Sequence, residues 1–320
     1  MSSPQEIIKK ELKQFEDLFK DAVKSNVPLL DRILKYVVKT KGKQLRPMFV
    51  LLSAKLAGGI NDSTYRAASM VELLHTATLV HDDVVDDAAE RRGFFSVYAL
   101  WKNKASVLVG DYLLAKGLLL SLENKDFRTL EILSDAVKKM SEGELLQLEK
   151  SRLLNIKEED YFTIIRNKTA SLLASACAAG AYSATQDEQI TERMRQFGEF
   201  AGIAFQLKDD LFDYGIEDVG KPTGNDIREK KLTLPLIFTL QQASRELKRK
   251  LTYIIKNKNK DKKSVEEVIH EVKHAGGIKY AEEVMEQYKS KALHILSEFP
   301  LSPEREALSE LVKFTTERKK

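Results

Sequence analysis

No proline interrupts the chain between Pro47 and Pro222; the others stand at positions 4, 28, 235, 300 and 303. Proline inside a helix removes a backbone hydrogen bond and clashes with the preceding turn, so a long stretch without it is open to uninterrupted helices. Ala, Leu, Lys and Glu dominate, Asn-Gly and Asp-Gly turns are few, and strict two-residue alternation is rare. That pattern favours helix over sheet. The 320 residues are 43% hydrophobic, ample for a core. No sheet, fixed-period repeat or domain linker is legible. The expected architecture is all-α, a single large helical bundle forming one domain over 1–320.

Periodicity and breakers place helices at 5–24, 28–39, from Pro47 to about Leu56, and from a cap at Asn61, Asp62 or Ser63 up to a group of aspartates. Further helices are expected near 105–120, 126–150, 158–183, 188–214, 232–251, 264–275, 277–297 and 302–317. GIEDVGKPTGNDIREKK (215–231) is the one long polar, glycine-rich loop, and loops of that length in compact proteins are often functional.

Charge excludes one class of partner. Lys and Arg total 52 against 48 Asp and Glu, a net +4, which is no nucleic-acid footprint. The single cysteine, Cys177, rules out an internal disulfide and a Cys-based zinc site; its surroundings, ASACAAGA, suit a buried structural thiol rather than a nucleophile. The N-terminal MSSPQEIIKKELKQF is charged and amphipathic, without a signal-peptide core. No apolar run reaches about 18 residues, so no transmembrane segment is expected, and a cytoplasmic location follows as the expectation.

The chemistry concentrates in HTATLVHDDVVDDAAERRG (75–93). Asp82 and Asp86 lie four apart on one helical face, with Asp83 beside them and Asp87 following. Like charges repel, and the C-terminal end of a helix already disfavours anions. Such an arrangement gains stability only from cations. FQLKDDLFDYG repeats the D-D-x-x-D spacing with Asp209, Asp210 and Asp213, again at a helix end. One such cluster reads as a solvated acidic turn; two with the same spacing read as carboxylates holding several Mg2+ ions against a diphosphate. Lys43 and Arg46, Arg91 and Arg92, Lys168, Lys221 and Lys231 are individually ordinary surface charges, but together supply donors for two diphosphates. His75, two turns before Asp82, reads either as a cavity residue or as a satisfied core histidine.

These motifs resemble those of the trans-isoprenyl diphosphate synthases, the polyprenyl synthase family: GKQLRP, the 75–93 block, Lys168-Thr169-Ala170, FQLKDDLFD with Gln206, and GKPTGNDIREKK, in the family's order over about 41–231. Gln44 departs from the commoner residue in the first motif. The resemblance implies an all-helical bundle around a deep central cavity, usually a homodimer, using Mg2+, with three ions per active site when substrate is bound. It assigns Asp82 and Asp86, supported by Asp83, to one side of the metal cluster, and Asp209 to the other, with Asp210 and Asp213 more peripheral. Arg91, Lys168, Lys221 and Lys231 would hold the allylic diphosphate. Lys43, Arg46, His75 and Arg92 would hold isopentenyl diphosphate. Thr169 and Gln206 would place oxygen dipoles near the allylic carbocation, with Lys168 completing the catalytic set.

The HTATLVHDDVVD wording also resembles longer-chain synthases, which make quinone side chains, so the resemblance implies medium-to-long products. The product would grow back along the aspartate helix, past Thr78, Ala77 and Leu74. Ala77 and Thr78 are small where a bulky aromatic would favour short products; Tyr112, Leu113 or Leu146 could close the floor instead. A farnesyl or geranylgeranyl diphosphate synthase is the alternative within the family. A class I terpene cyclase would usually replace the second D-D-x-x-D, a non-catalytic partner subunit would lack a motif, and a Ca2+-binding scaffold leaves the arginines and lysines unexplained. The basic tail ERKK (317–320) reads as a frayed, solvated terminus, with closure over a diphosphate as the alternative.

Overall fold

The computed structural model describes residues 3–40, 42, 44–91, 93–215 and 223–318. The helices run α1 (Pro4–Ile7), α2 (Lys9–Ala22), α3 (Pro28–Lys39), α4 (Leu45–Ala57) and α5 (Asp62–Val85). A hairpin of β1 (Glu90–Arg91) and β2 (Phe94–Phe95) follows, then α6 (Val97–Glu123), α7 (Phe127–Leu153) and α8 (Glu158–Ile165). A π-helical turn, Arg166–Ala170, leads into α9 (Ser171–Thr185) and α10 (Glu188–Phe212). The remainder is α11 (Asn225–Arg228), α12 (Leu234–Gln242), α13 (Arg245–Asn257), α14 (Lys262–His274), α15 (Gly277–Ser297) and α16 (Pro303–Glu317).

The all-α expectation holds, with local departures. The 5–24 helix breaks at Ile8, which caps the one-turn α1. α6 begins eight residues before the expected 105, capped by Ser96, and Lys102 at φ 65° interrupts it. The 232–251 stretch is two helices, because Ala243 turns extended and the Ser244 hydroxyl caps the Leu247 amide. The hairpin pairs Glu90 with Phe95 and Arg91 with Phe94, and Gly93 turns it at φ +76°. Two-residue strands offer no alternation to read, so a glycine-bearing turn was its only sequence trace.

The chain divides into two compact units. The first comprises Met1–Val137, Ser175–Arg195 and Phe299–Leu308. Its core is built on α4 and α5. Residues 47–54 and 67–75 are buried without a gap, mostly small or apolar side chains with Glu72 and His75 among them. Each buried Leu, Phe or Met there contributes about 1.5–3 kcal/mol. Asn61 caps α5 by accepting from the Thr64 amide, and its own NH2 donates to the Ser183 carbonyl at 2.7 Å. α5 packs along α4 and α6. Cys177 is fully buried, and burial pushes its thiol up to about 12, which keeps it protonated.

α6 bears on the expectation of no transmembrane segment without overturning it. Among the described residues it is the one helix long and apolar enough to cross a membrane by length and composition, although the sequence shows no unbroken apolar run. Val107, Leu108, Leu118, Leu119 and Leu122 are exposed and fall within about a third of its circumference.

The second unit comprises Lys138–Ala174, Gln196–Glu298 and Ser309–Lys320. Tyr161, Leu207, Leu211, Tyr214, Leu234 and Val268 belong to its buried core. The expected 158–183 helix carries the π turn, a one-residue dilation often found at functional sites. Two glycines let neighbouring helices approach it. A Cβ on Gly143 of α7 would stand 2.8 Å from the Lys168 amide nitrogen, and one on Gly202 of α10 would stand 2.7 Å from the Ala170 Cα.

Candidate active site

In the first unit, α5 ends in the first aspartate cluster. Its last turn closes through the Asp86 amide, which donates to the Asp82 carbonyl at 2.8 Å. Asp82 is half-buried and Asp86 exposed, on the same face. Asp83 is buried and accepts the Arg91 Nε–H at 2.7 Å. Burial outweighs the guanidinium and leaves the Asp83 carboxyl above its ordinary value. Asp87, at φ 49°, accepts from the Tyr98 hydroxyl at 2.8 Å. Thus Asp83 and Asp87 are engaged by the protein, and the hairpin delivers Arg91 back to the helix end.

Arg46, at the start of α4, donates to His75 Nε2 at 2.9 Å. The guanidinium only donates, so this nitrogen accepts and the imidazole carries its proton on Nδ1. His75 and Asp83 line a small cavity of about 60 Å³ with Thr40, Glu72, Thr76 and Arg91. Leu74 and Ala77 are buried, and the half-buried Thr78 donates its hydroxyl to the His75 carbonyl at 2.8 Å. Leu113 is buried, Leu146 half-buried, and the Tyr112 hydroxyl donates to the Lys24 carbonyl. Lys43, Arg92 and Lys221 lie outside the described residues.

In the second unit, the three aspartates of α10 have distinct surroundings. Asp209 is ion-paired with Arg318. Asp210 is buried, accepting from the Tyr161 hydroxyl and from the Gln206 amide, each at 2.7 Å. Asp213 accepts the amides of Asn225 at 2.8 Å and Asp226 at 3.0 Å, tying the α10 end to α11. A cavity of about 130 Å³ brings Lys168, Thr169, Gln206, Asp210, Asp226 and Lys231 together. Lys168 is held by Glu144 at 2.6 Å and Gln147 at 3.1 Å on α7. The Thr169 hydroxyl donates to Gln206 Oε1 at 2.8 Å. Lys231 pairs with Glu229.

Three residues of this site were not singled out from sequence. Asp226 lies within the GKPTGNDIREKK motif, where no spacing marks it apart from its polar neighbours. Tyr161 is 49 positions from its partner Asp210, and no local pattern links them. The third is Arg318, in the tail read as frayed or as closing over a diphosphate: Glu317 pairs with Lys289 at 2.7 Å and Arg318 lies over the rings of Phe205 and Phe212. A guanidinium between two aromatic faces and a carboxylate has a defined place that charge alone does not announce.

Burial pushes Asp210 up to about 7 and Asp226 up to about 8, and the neighbouring aspartates reinforce both shifts. Such crowded carboxylates call for cations. Among the described residues no three His, Cys, Asp or Glu side chains form a ready-made metal cage. Mg2+ does not need one, since it binds through one or two carboxylates, waters and substrate phosphates. The all-oxygen donor set fits it.

The family profile described as Polyprenyl synthetase matches residues 27–272. Octaprenyl diphosphate synthase of Escherichia coli (strain K12) is 33% identical over 300 residues, covering 93% of each chain. The solved polyprenyl synthase from Caulobacter crescentus CB15, complexed with calcium and isoprenyl diphosphate, is 35% identical, with a TM-score of 0.91 over 99% of this chain and 97% of that one. Geranylgeranyl pyrophosphate synthase from Bacteroides thetaiotaomicron is 38% identical, with a TM-score of 0.84 over 98% of each chain.

Proposed function

The chain belongs to the polyprenyl synthetase family, and on that premise we propose that it condenses isopentenyl diphosphate with an allylic diphosphate into an all-trans polyprenyl diphosphate of medium-to-long chain. It is a prenyltransferase with the all-helical isoprenoid synthase fold. The observation that carries the reading is the content of one cavity: Lys168 and Lys231, acidic Asp210 and Asp226, and the Thr169–Gln206 pair of dipoles. Cations for a diphosphate and oxygen dipoles for a carbocation are what ionisation of an allylic diphosphate requires.

When bound, Mg2+ supplies Lewis-acid stabilisation of the departing diphosphate, with Asp82, Asp86 and Asp209 as the residues that would hold it. The proposed complement is three ions with substrate present. Arg91, Lys168 and Lys231, with Lys221, bind the allylic diphosphate by charge-assisted hydrogen bonds. Arg46 and His75, with Lys43 and Arg92, bind isopentenyl diphosphate. Thr169 and Gln206 stabilise the positive charge left at C1 when the C–O bond breaks. The isopentenyl double bond attacks C1, and loss of a proton to the released diphosphate completes the five-carbon unit. Exclusion of water keeps the cation from being quenched.

The reading extends to one domain over 1–320, a cytoplasmic location and a homodimer. The exposed apolar stripe of α6 supports the homodimer, because a contiguous apolar face of this kind gains by burial. A geranylgeranyl product is the second reading, favoured by the 38% identity to the Bacteroides enzyme. Incubation with farnesyl diphosphate, isotopically labelled isopentenyl diphosphate and Mg2+, followed by chain-length analysis, tests the proposal. Labelled products longer than geranylgeranyl are expected. A single addition supports the second reading, and cyclic hydrocarbon or no product overturns both.

A further inference from the structure

Thr169 and Gln206 each carry a dipole with two ends, and the hydrogen bonds around Asp210 decide which end faces the cavity. Both Asp210 oxygens accept, one from the Tyr161 hydroxyl and the other from the Gln206 NH2, each at 2.7 Å. Gln206 thus turns Nε2 toward Asp210 and Oε1 away from it. On that far side Oε1 accepts the Thr169 hydroxyl hydrogen at 2.8 Å. Thr169 has only one hydrogen. Once it is committed to Gln206, the hydroxyl oxygen has only lone pairs to offer the cavity it lines.

We propose that Tyr161 and Asp210 are positioning residues that polarise a Tyr161–Asp210–Gln206–Thr169 chain, so that the negative end of the Thr169 hydroxyl faces the allylic carbocation. The inference rests on the proposed prenyl transfer. Tyr161 and Asp210 line the same cavity, and in this role they act through Gln206, setting the direction of a chain whose last member is Thr169. The fixed ends support this role. Tyr161 is buried in α8, and Thr169 stands in the π turn that Gly143 and Gly202 allow to pack closely. Oriented beforehand, the dipole needs no reorganisation when charge develops at C1.

The test reverses the chain and then restores it. In Asp210→Asn, the new amide donates to Gln206 Oε1 while Tyr161 still donates to the remaining oxygen. Gln206 then presents Nε2 to Thr169, and the threonine hydrogen is released into the cavity. The kcat should fall by about 100-fold, the size expected when an oriented dipole at a reacting centre is lost. KM for both diphosphates and Mn2+ binding followed by paramagnetic resonance should stay near wild type. Adding Gln206→Glu restores an acceptor for Thr169, so the double variant should regain at least about ten-fold in kcat over Asp210→Asn. A merely structural or metal-ligating Asp210 predicts a double variant no better than the worse single, and that result overturns the proposal. Tyr161→Phe, checked for helical circular dichroism, provides a milder probe. It should lower kcat with KM unchanged, and a wild-type kcat would also overturn it. Wild-type enzyme that makes no polyprenyl diphosphate instead refutes the prenyl-transfer reading itself.

Discussion

Arg318 holds Asp209 in an ion pair while its guanidinium lies 4.6 Å from the centroid of Phe205 and 5.3 Å from that of Phe212. The proposed metal ligand therefore already has a cation on it, supplied by the C-terminal tail. Metal must displace this contact, so removing it should help metal bind. Arg318→Gln is expected to lower the half-saturating Mg2+ concentration by about two- to five-fold, the range for a partly exposed pair worth up to about 1 kcal/mol. Mn2+ titration without substrate measures this directly, and an unchanged or weakened affinity refutes the competition.

Adjacent aspartates should fail differently. Asp82→Ala removes a proposed metal ligand and should lower kcat by about 100-fold or more without loss of helical circular dichroism. Asp83→Asn weakens the grip on Arg91 and should raise KM for the allylic diphosphate more than it lowers kcat. Steady-state kinetics on both variants separates the roles; matching profiles would show that the buried carboxylate also holds metal.

Ala77→Phe should shorten the product, because the ring adds bulk one turn and more before Asp82 along the proposed direction of growth. Ala77 is fully buried, so overpacking should also cost about 1–3 kcal/mol of stability. Product chromatography alongside thermal unfolding checks both, and an unchanged product distribution moves the gate elsewhere.

The raised carboxyls give the substrate-free protein a particular pH dependence. Asp210 near 7 and Asp226 near 8 keep protons that the unfolded chain, with aspartates near 3.8, gives up. Their stabilising contribution is complete below about pH 4, falls as pH rises through about 7 and 8, and is flat beyond. Asp226→Asn should flatten that slope and raise the melting temperature most at the alkaline end. Thermal unfolding across this window tests the sign.

Much of the site was open to reading because its chemistry is local. An apolar helix running into Asp82, Asp83 and Asp86, and again into Asp209, Asp210 and Asp213, states both the fold element and its strain. The division of labour among these carboxylates was not open, because it depends on distant partners: Arg91 across a hairpin, Tyr161 on another helix, Arg318 at the tail. The π turn was equally hidden. One added residue shifts a helical pattern by a single position, which an Ala- and Ser-rich stretch such as ASLLASACAAG barely registers. Lys102 escaped for a similar reason, since a single left-handed residue does not disturb the apolar periodicity on either side.

The π turn also governs how this segment can change over evolutionary time. Its extra residue is taken up within the widened turn itself, so α9 continues in phase with α8. Deleting one residue within 166–170 would relax the turn to ordinary α-helix with little rotation of the residues that follow. Exchanging a side chain there leaves the phase intact. Substitution and length change are thus unequal mutational events in Arg166–Ala170: the turn can take up a single residue gained or lost, whereas Lys168 and Thr169 line the cavity and carry proposed roles that other side chains would remove.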